Sequence, residues 1–207
     1  MEQVDPKNEL KHLYYPGIDR VEIVDVPPLN YLMIDGRGDP NQEPAFRDAI
    51  EALFAISYTL KYIVLQSERG IDYLVMPLEG MFSSPDDKSF DREKKGEWLW
   101  TLMMMQPDYV DGRMYAAAVE AVSRKKELSA LPLMRFDSMF EGMAAQIMHL
   151  GLFAQEGPTI KRLHEFIEEQ GYVLNGRHHE IYLSDIRKAS PDMWRTVIRQ
   201  PIKKAEH

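Results

Sequence analysis

Two stretches of helical periodicity, each set among short β-like runs, limit this chain to folds in which helices cover sheets. In the first, Phe46, Ile50, Leu53, Ile56, Leu60 and Ile63 recur every three or four residues, and Gly70 closes the segment. In the second, Gly157-Pro158-Thr159 opens a helix whose stripe is Ile160, Leu163 and Ile167. Pro158 suits a first helical turn, and Gly171 suits the position just past the end. Asp111 is placed to cap a third helix through Ala116 to Arg124, with Met114, Ala118 and Val122 inward.

Strand-like runs fill the intervals. Val21 to Val26 and Tyr31 to Ile34 are separated by Pro27-Pro28, which prevents one continuous strand. Ile71 to Met81 and Glu97 to Gln106 flank a charged loop from Ser83 to Lys95. Leu133 to Phe140, Met143 to Leu150, the stretch around His178 to Tyr182, and Trp194 to Ile202 complete the set. The order strand, helix, strand, strand thus occurs at about 30–106 and again at about 143–202, with a helix and strand at about 111–140 between. This predicts an α+β fold of two tandem strand–helix–strand–strand modules, antiparallel sheets with helices packed on them, and a central ligand cleft. Residues 1–20 form an N-terminal extension, and 21–207 are expected to form a single domain.

Composition removes several functions. A net charge of −8 argues against direct nucleic-acid binding, which needs clustered Lys and Arg. The chain has no cysteine, hence no disulfide, thiol nucleophile or thiolate metal site. Met1 to Pro6 has neither the basic nor the apolar region of a signal peptide, and Trp98 to Met105 is too short to span a membrane. A cytoplasmic location without membrane association is expected. No phosphate-binding glycine loop, dinucleotide fingerprint or serine-hydrolase elbow is present, and no cofactor is expected. His178 and His179 are adjacent and cannot both aim at one ion from a regular strand, so no metal site is expected.

Glu180 is the residue that ordinary strand patterning explains least. Alternation places His178, Glu180, Tyr182 and Ser184 on one face, with His179, Ile181 and Leu183 on the other. The second set reads as the core face toward a helix, with Glu180 turned to water or to a cleft. In the run Glu97 to Met105, Trp98, Trp100, Leu102 and Met104 share a face; two tryptophans with adaptable Met side chains suit a pocket for flat or varied hydrophobic ligands. A carboxylate beside aromatic rings has two uses: it binds a cation, or it serves as a general base when an apolar wall raises its pKa. Glu79 and Glu156 are further candidates, Glu156 being equally explained by compensation of a helix dipole.

The runs Tyr31 to Gly38, Thr59 to Tyr62, Leu78-Glu79-Gly80, Glu97 to Thr101, Gln155 to Pro158, His178 to Asp185 and Ile198 to Pro201 together resemble the GyrI-like small-molecule-binding family, and more closely its stand-alone bacterial branch. The resemblance runs in order from about residue 10 to the end. It implies paired strand–helix–strand–strand modules. In regulator members of the family a late-strand glutamate meets cationic aromatic drugs, and Glu180 is the matching position. The stand-alone branch includes cyclopropanoid cyclopropyl hydrolases, which add water to a strained ring. On that resemblance Glu180 orients or deprotonates water, Trp100 stacks on a planar ligand, and Tyr109, Tyr182 and Glu156 assist. Trp98, Tyr31 and His178 complete the expected ligand-binding set. Ile186 stands where relatives often carry proline. The expected partner is a small aromatic or hydrophobic molecule. The alternatives are a protein-interaction module, such as a gyrase inhibitor, and the ligand-sensing partner of a transcription regulator.

Overall fold

The computed structural model describes residues 3–85, 93–185 and 188–205. In chain order its elements are α1 (Lys11–Tyr14), β1 (Glu22–Val26), β2 (Leu29–Arg37), α2 (Pro44–Gln66), β3 (Leu78–Ser83), β4 (Leu99–Gln106), α3 (Gly112–Ser123), β5 (Arg135–Met139), β6 (Gly142–Leu150), α4 (Gly157–Glu169), β7 (Tyr172–Leu174), β8 (His178–Tyr182) and β9 (Arg195–Lys204). The fold is α+β, and strand–helix–strand–strand occurs twice, the second time with β7 inserted after the helix. Two compact units emerge. Residues up to Glu9, Leu29–Leu78 and Ser83–Met139 make one; Leu10–Pro28, Glu79–Phe82 and Phe140–His207 make the other.

In the first unit β2 lies between β4 and β5, antiparallel to both. Leu32 stands opposite Met104 on one side and Phe136 on the other, so these side chains share a face. Helices cover that face: Ser57 of α2 donates to the Met104 sulfur at 3.5 Å, and Tyr115 of α3 stacks on Phe136 at 5.7 Å. The buried stripe of α2 is Ala49, Ala52, Leu53, Ile56, Ser57, Leu60 and Val64, with Phe46, Ile50 and Ile63 at its margins. Small residues join the stripe because they let the helix approach the sheet. Asp111 caps α3 as expected, its carboxylate accepting from the N–H groups of Arg113 and Met114.

The expected strand Ile71 to Met81 is strand only from Leu78. Pro77 lacks the N–H that a ladder needs, and among the described residues the pairing upstream of it is a bridge between Val4 and Tyr73.

In the second unit the order is β1-β6-β9-β8-β3, with β7 also paired to β9. Ile160, Leu163 and Ile167 of α4 close over Val21, Ala145, Ile147, Ile198 and Ile202. Each buried Val, Leu or Ile side chain here contributes about 1.5–3 kcal/mol. Gly171, at φ +75°, ends the helix in the left-handed conformation, so the chain turns directly into β7.

Candidate functional site

Both faces of β8 are buried. His178 is 2%, His179 0% and Glu180 8% exposed. The register fixes which face is which. Glu180 stands opposite Ile198, which belongs to the cluster under α4, whereas His179 stands opposite Arg199. The helix therefore covers the His178, Glu180 and Tyr182 face. The expectation that His179, Ile181 and Leu183 face the helix is corrected: the parity was right, but the sides are exchanged. Both sides are covered, so hydrophobic alternation held no information about which one carries the helix.

On the α4 face the Glu180 carboxylate is held from two directions. The Tyr182 hydroxyl donates to Oε2 at 2.8 Å, and His178 Nε2 is hydrogen-bonded to Oε1 at 2.8 Å. Burial, and then the adjacent Glu180 charge, push the Tyr182 hydroxyl well above its usual pKa, with Glu156 adding in the same direction. Tyr182 is thus a permanent neutral donor. Glu156 occupies the N-cap position of α4, 1% exposed, yet its side chain makes no capping hydrogen bond. It contributes a second buried carboxylate near Tyr182 rather than a helix cap. The ring of Phe153 packs edge-on against Tyr182 at 5.4 Å and lies 5.2 Å from Trp194. A Cβ added to Gly80 would stand 3.4 Å from the Tyr182 hydroxyl.

The opposite face holds a closed ionic network. His179 bonds Glu79 through Nε2 and Glu141 through Nδ1, both at 2.9 Å. Arg199 donates to Glu141 at 3.1 Å, to Gln146 at 3.0 Å and to the Leu13 carbonyl at 2.6 Å. The Tyr14 hydroxyl donates to Glu79 at 2.7 Å. Burial alone would lower the His179 pKa, but Glu141 and Glu79 overcome it and raise the ring to about 9. Burial would likewise raise Glu141, but His179 and Arg199 hold it at about 2. Glu79, a candidate for chemistry on sequence, is fully occupied in this network.

The remaining expected ligand residues lie in the first unit. Trp100 is 1% exposed beneath α2, edge-on to Phe46 at 5.1 Å. Its ring fills the space that Gly36 leaves across the strand pair: a Cβ there would come within 2.0 Å of it. Trp98 precedes β4 with Lys95 5.9 Å over its ring. Tyr31 stands opposite Met105, on the face away from Trp100. Tyr109 pairs edge-on with Tyr73 at 5.7 Å. The structure thus brings Glu180, His178, Tyr182 and Glu156 into one cluster, while Trp100 and Tyr31 project to opposite faces of β2–β4. Among the described residues no group of three or more acidic or imidazole side chains is placed to hold a metal. Ile186 lies outside the described residues.

A model of the GyrI-like small-molecule-binding domain matches residues 19–203. The chain belongs to this GyrI-like family. Solved structures similar to this GyrI-like protein include an uncharacterized conserved protein from Listeria innocua, at 37% identity and TM-score 0.87, covering 97% of this chain and 100% of that one. A hydrolase from the same organism is 35% identical over 98% of this chain and 100% of its own, with TM-score 0.84. The C-terminal domain of EcmrR shares the fold at 16% identity and TM-score 0.56, covering 90% and 98%. Comparison with curated proteins gives no match.

Sequence reasoning singled out Glu180, Tyr182, His178 and Glu156. It missed Phe153, Gly80 and Trp194 around Tyr182, and it missed the network of Arg199 and Glu141. An arginine inside the apolar run Val197 to Ile202 was the available signal, since a buried guanidinium requires carboxylate partners.

Proposed function

We propose that this GyrI-like protein binds a small aromatic or hydrophobic electrophile through the Glu180 cluster and hydrolyses it, with Glu180 as the general base. The observation that carries this reading is the Glu180 carboxylate itself, buried to 8% exposure and oriented by Tyr182 and His178. Two hydrogen bonds fix the direction of its lone pairs, and covering side chains exclude bulk water. A carboxylate in this setting aligns one water molecule and accepts its proton. Tyr182, kept neutral, donates its one proton to Glu180 and so orients the carboxylate. Glu156 adds a second polar group beside it.

For a cyclopropane fused to a dienone the step balances without a cofactor. Water oxygen bonds to the ring carbon while the strained C–C bond breaks. That electron pair flows into the dienone as a phenolate while the water proton goes to Glu180; the phenolate then takes that proton back through solvent, so one water is added and the carboxylate is regenerated. The similarity to a Listeria innocua hydrolase over the full length of both chains supports a hydrolytic reading. The family's small-molecule binding supports the ligand class.

The test is incubation of the purified protein with a cyclopropane-fused dienone alkylator, following the ring-opened phenol by mass spectrometry. Multiple turnovers by the wild type, reduced at least about hundredfold in Glu180→Gln, are expected for loss of a general base. Binding without turnover in the wild type would leave a sequestering protein and remove the catalytic role of Glu180.

A further inference from the structure

Helix α2 of the first unit is apolar on two sides, and its buried stripe accounts for one of them. On the side away from the sheet Ala55, Tyr58, Tyr62 and Leu65 follow one another at intervals of three, four and three residues. Tyr58 and Tyr62 are 59% and 63% exposed, and Ala55 and Leu65 are partly exposed. The Phe54 ring stacks on Tyr58 at 6.3 Å and 26°. A surface helix ordinarily turns charged and polar residues outward opposite its core stripe, so this aromatic face calls for a partner.

The series extends at both ends to a charge. Glu51 lies four residues before Ala55, and Arg69 lies four after Leu65, in the turn where Gly70 donates to the Ser67 carbonyl at 3.0 Å. Alternating steps of four and three are those of a two-helix seam. Here they read the same in both directions, so two copies of α2 laid antiparallel match at every layer. Tyr58 then stands opposite Tyr62, the small Ala55 opposite Leu65, and Glu51 opposite Arg69, each layer occurring twice. A parallel pair would instead oppose Glu51 to Glu51 and Arg69 to Arg69.

The surroundings of Glu51 carry the same complementarity. Asp48, Glu51, Glu127, Leu128 and Ser129 line a recess of about 370 Å³. Lys126 reaches Glu51 at 3.3 Å and Ser129 donates to Asp48 at 2.6 Å, which leaves the recess with an excess of negative charge. Arg69 is exposed and suited to enter it from a second copy.

We propose that α2 is a dimerisation surface, pairing antiparallel about a twofold axis with α2 of a second copy of this chain. Such an interface is self-complementary, as closed twofold association requires. It concerns the first unit and stands without the Glu180 reading.

Sedimentation of the wild type is expected to give a mass twice the 24.1 kDa of one copy, dissociating in the micromolar range. Glu51→Arg opposes two arginines at both ends of the seam and is expected to weaken the dimer about tenfold, as is Arg69→Glu. The double variant carrying both is expected to return to within about threefold of the wild type. Register is read by cross-linking, since the chain has no cysteine of its own. Ala55→Cys mixed with Leu65→Cys is expected to form a disulfide on oxidation, whereas each alone should give little. Within one chain these positions are about 15 Å apart along the helix axis, too far to bridge. A wild type that stays monomeric up to about 100 μM overturns the proposal and leaves the tyrosine face to another protein or a lipid surface. A dimer insensitive to both charge reversals, or Ala55→Cys cross-linking to itself as readily as to Leu65→Cys, overturns it as well.

Discussion

The His179 network makes folding stability depend on pH in a direction set by geometry. Both ring nitrogens face carboxylates at 2.9 Å, so both must carry a proton. The imidazolium has two N–H donors; neutral imidazole has one and would present a lone pair to the other carboxylate. With His179 protonated, two cations and two carboxylates balance: His179 and Arg199 against Glu79 and Glu141, with the neutral Tyr14 hydroxyl on Glu79. The folded pKa of about 9 lies above the ordinary 6.5. This stabilisation is therefore fully present below about pH 6.5 and is lost as pH rises through 9. The difference corresponds to roughly 3 kcal/mol. Between about pH 7 and 8.5 it should appear as a fall approaching roughly 1.4 kcal/mol per pH unit. Urea unfolding of the wild type and of His179→Gln across that range measures it, and the slope should be present in the first and absent from the second. The variant should also be about 3–5 kcal/mol less stable at pH 7, as when one partner leaves a buried ion network. Should it be too unstable for titration, the wild-type His179 nitrogen shifts report the same thing, keeping their imidazolium values to about pH 9. Identical slopes in the two proteins, or neutral-imidazole shifts at pH 7.5, would refute the reasoning.

Other outcomes follow from single contacts. Gly36→Ala places a Cβ within 2.0 Å of the Trp100 ring, and overpacking of this kind should cost about 1–3 kcal/mol in urea unfolding, relieved by Trp100→Phe. Asp111→Ala removes the acceptor for two N–H groups of α3 and should cost about 1 kcal/mol, whereas Asp111→Asn should retain most of it. Glu180→Gln should lower the proposed ring opening at least about hundredfold while retaining the fold, since the amide still accepts from Tyr182; a circular-dichroism melt beside the mass-spectrometric assay separates the two effects.

Elements whose limits are local chemistry were legible in the chain. Asp111, Pro158, Gly171 and the Pro27-Pro28 break each act within one turn, and each stands where the residues implied. The repeated strand–helix–strand–strand order was legible for the same reason. Sidedness was not, because it depends on what lies across the strand. Trp100 and Met103 project to opposite faces of β4 and both are buried, so nothing in their spacing marks which one α2 covers. The same holds for His179 and Glu180. Partners distant in sequence were equally hidden: Glu141 and Arg199 are separated by 58 residues, and Tyr14 and Glu79 by 65.

β8 shows why these two kinds of information have to be combined. Five residues carry two polar systems, and a strand separates them only by parity. On one side His179 is tied to Glu79 and Glu141 and fully enclosed, which suits a part whose purpose is to fix the strand. On the other side Glu180 keeps some access to solvent and is bonded by its own neighbours two residues before and after it, which suits a part that must exchange protons. The pairing of His179 with Arg199 fixes this division. A slip of one residue would bring Glu180 opposite Arg199 and turn His179 under α4, exchanging the two systems. The ionic network therefore does more than stabilise. By locking the β8–β9 register it determines which carboxylate faces α4 and Glu156, and a variant that weakens the lock should disturb the hydrogen bonds of Glu180 without touching that residue.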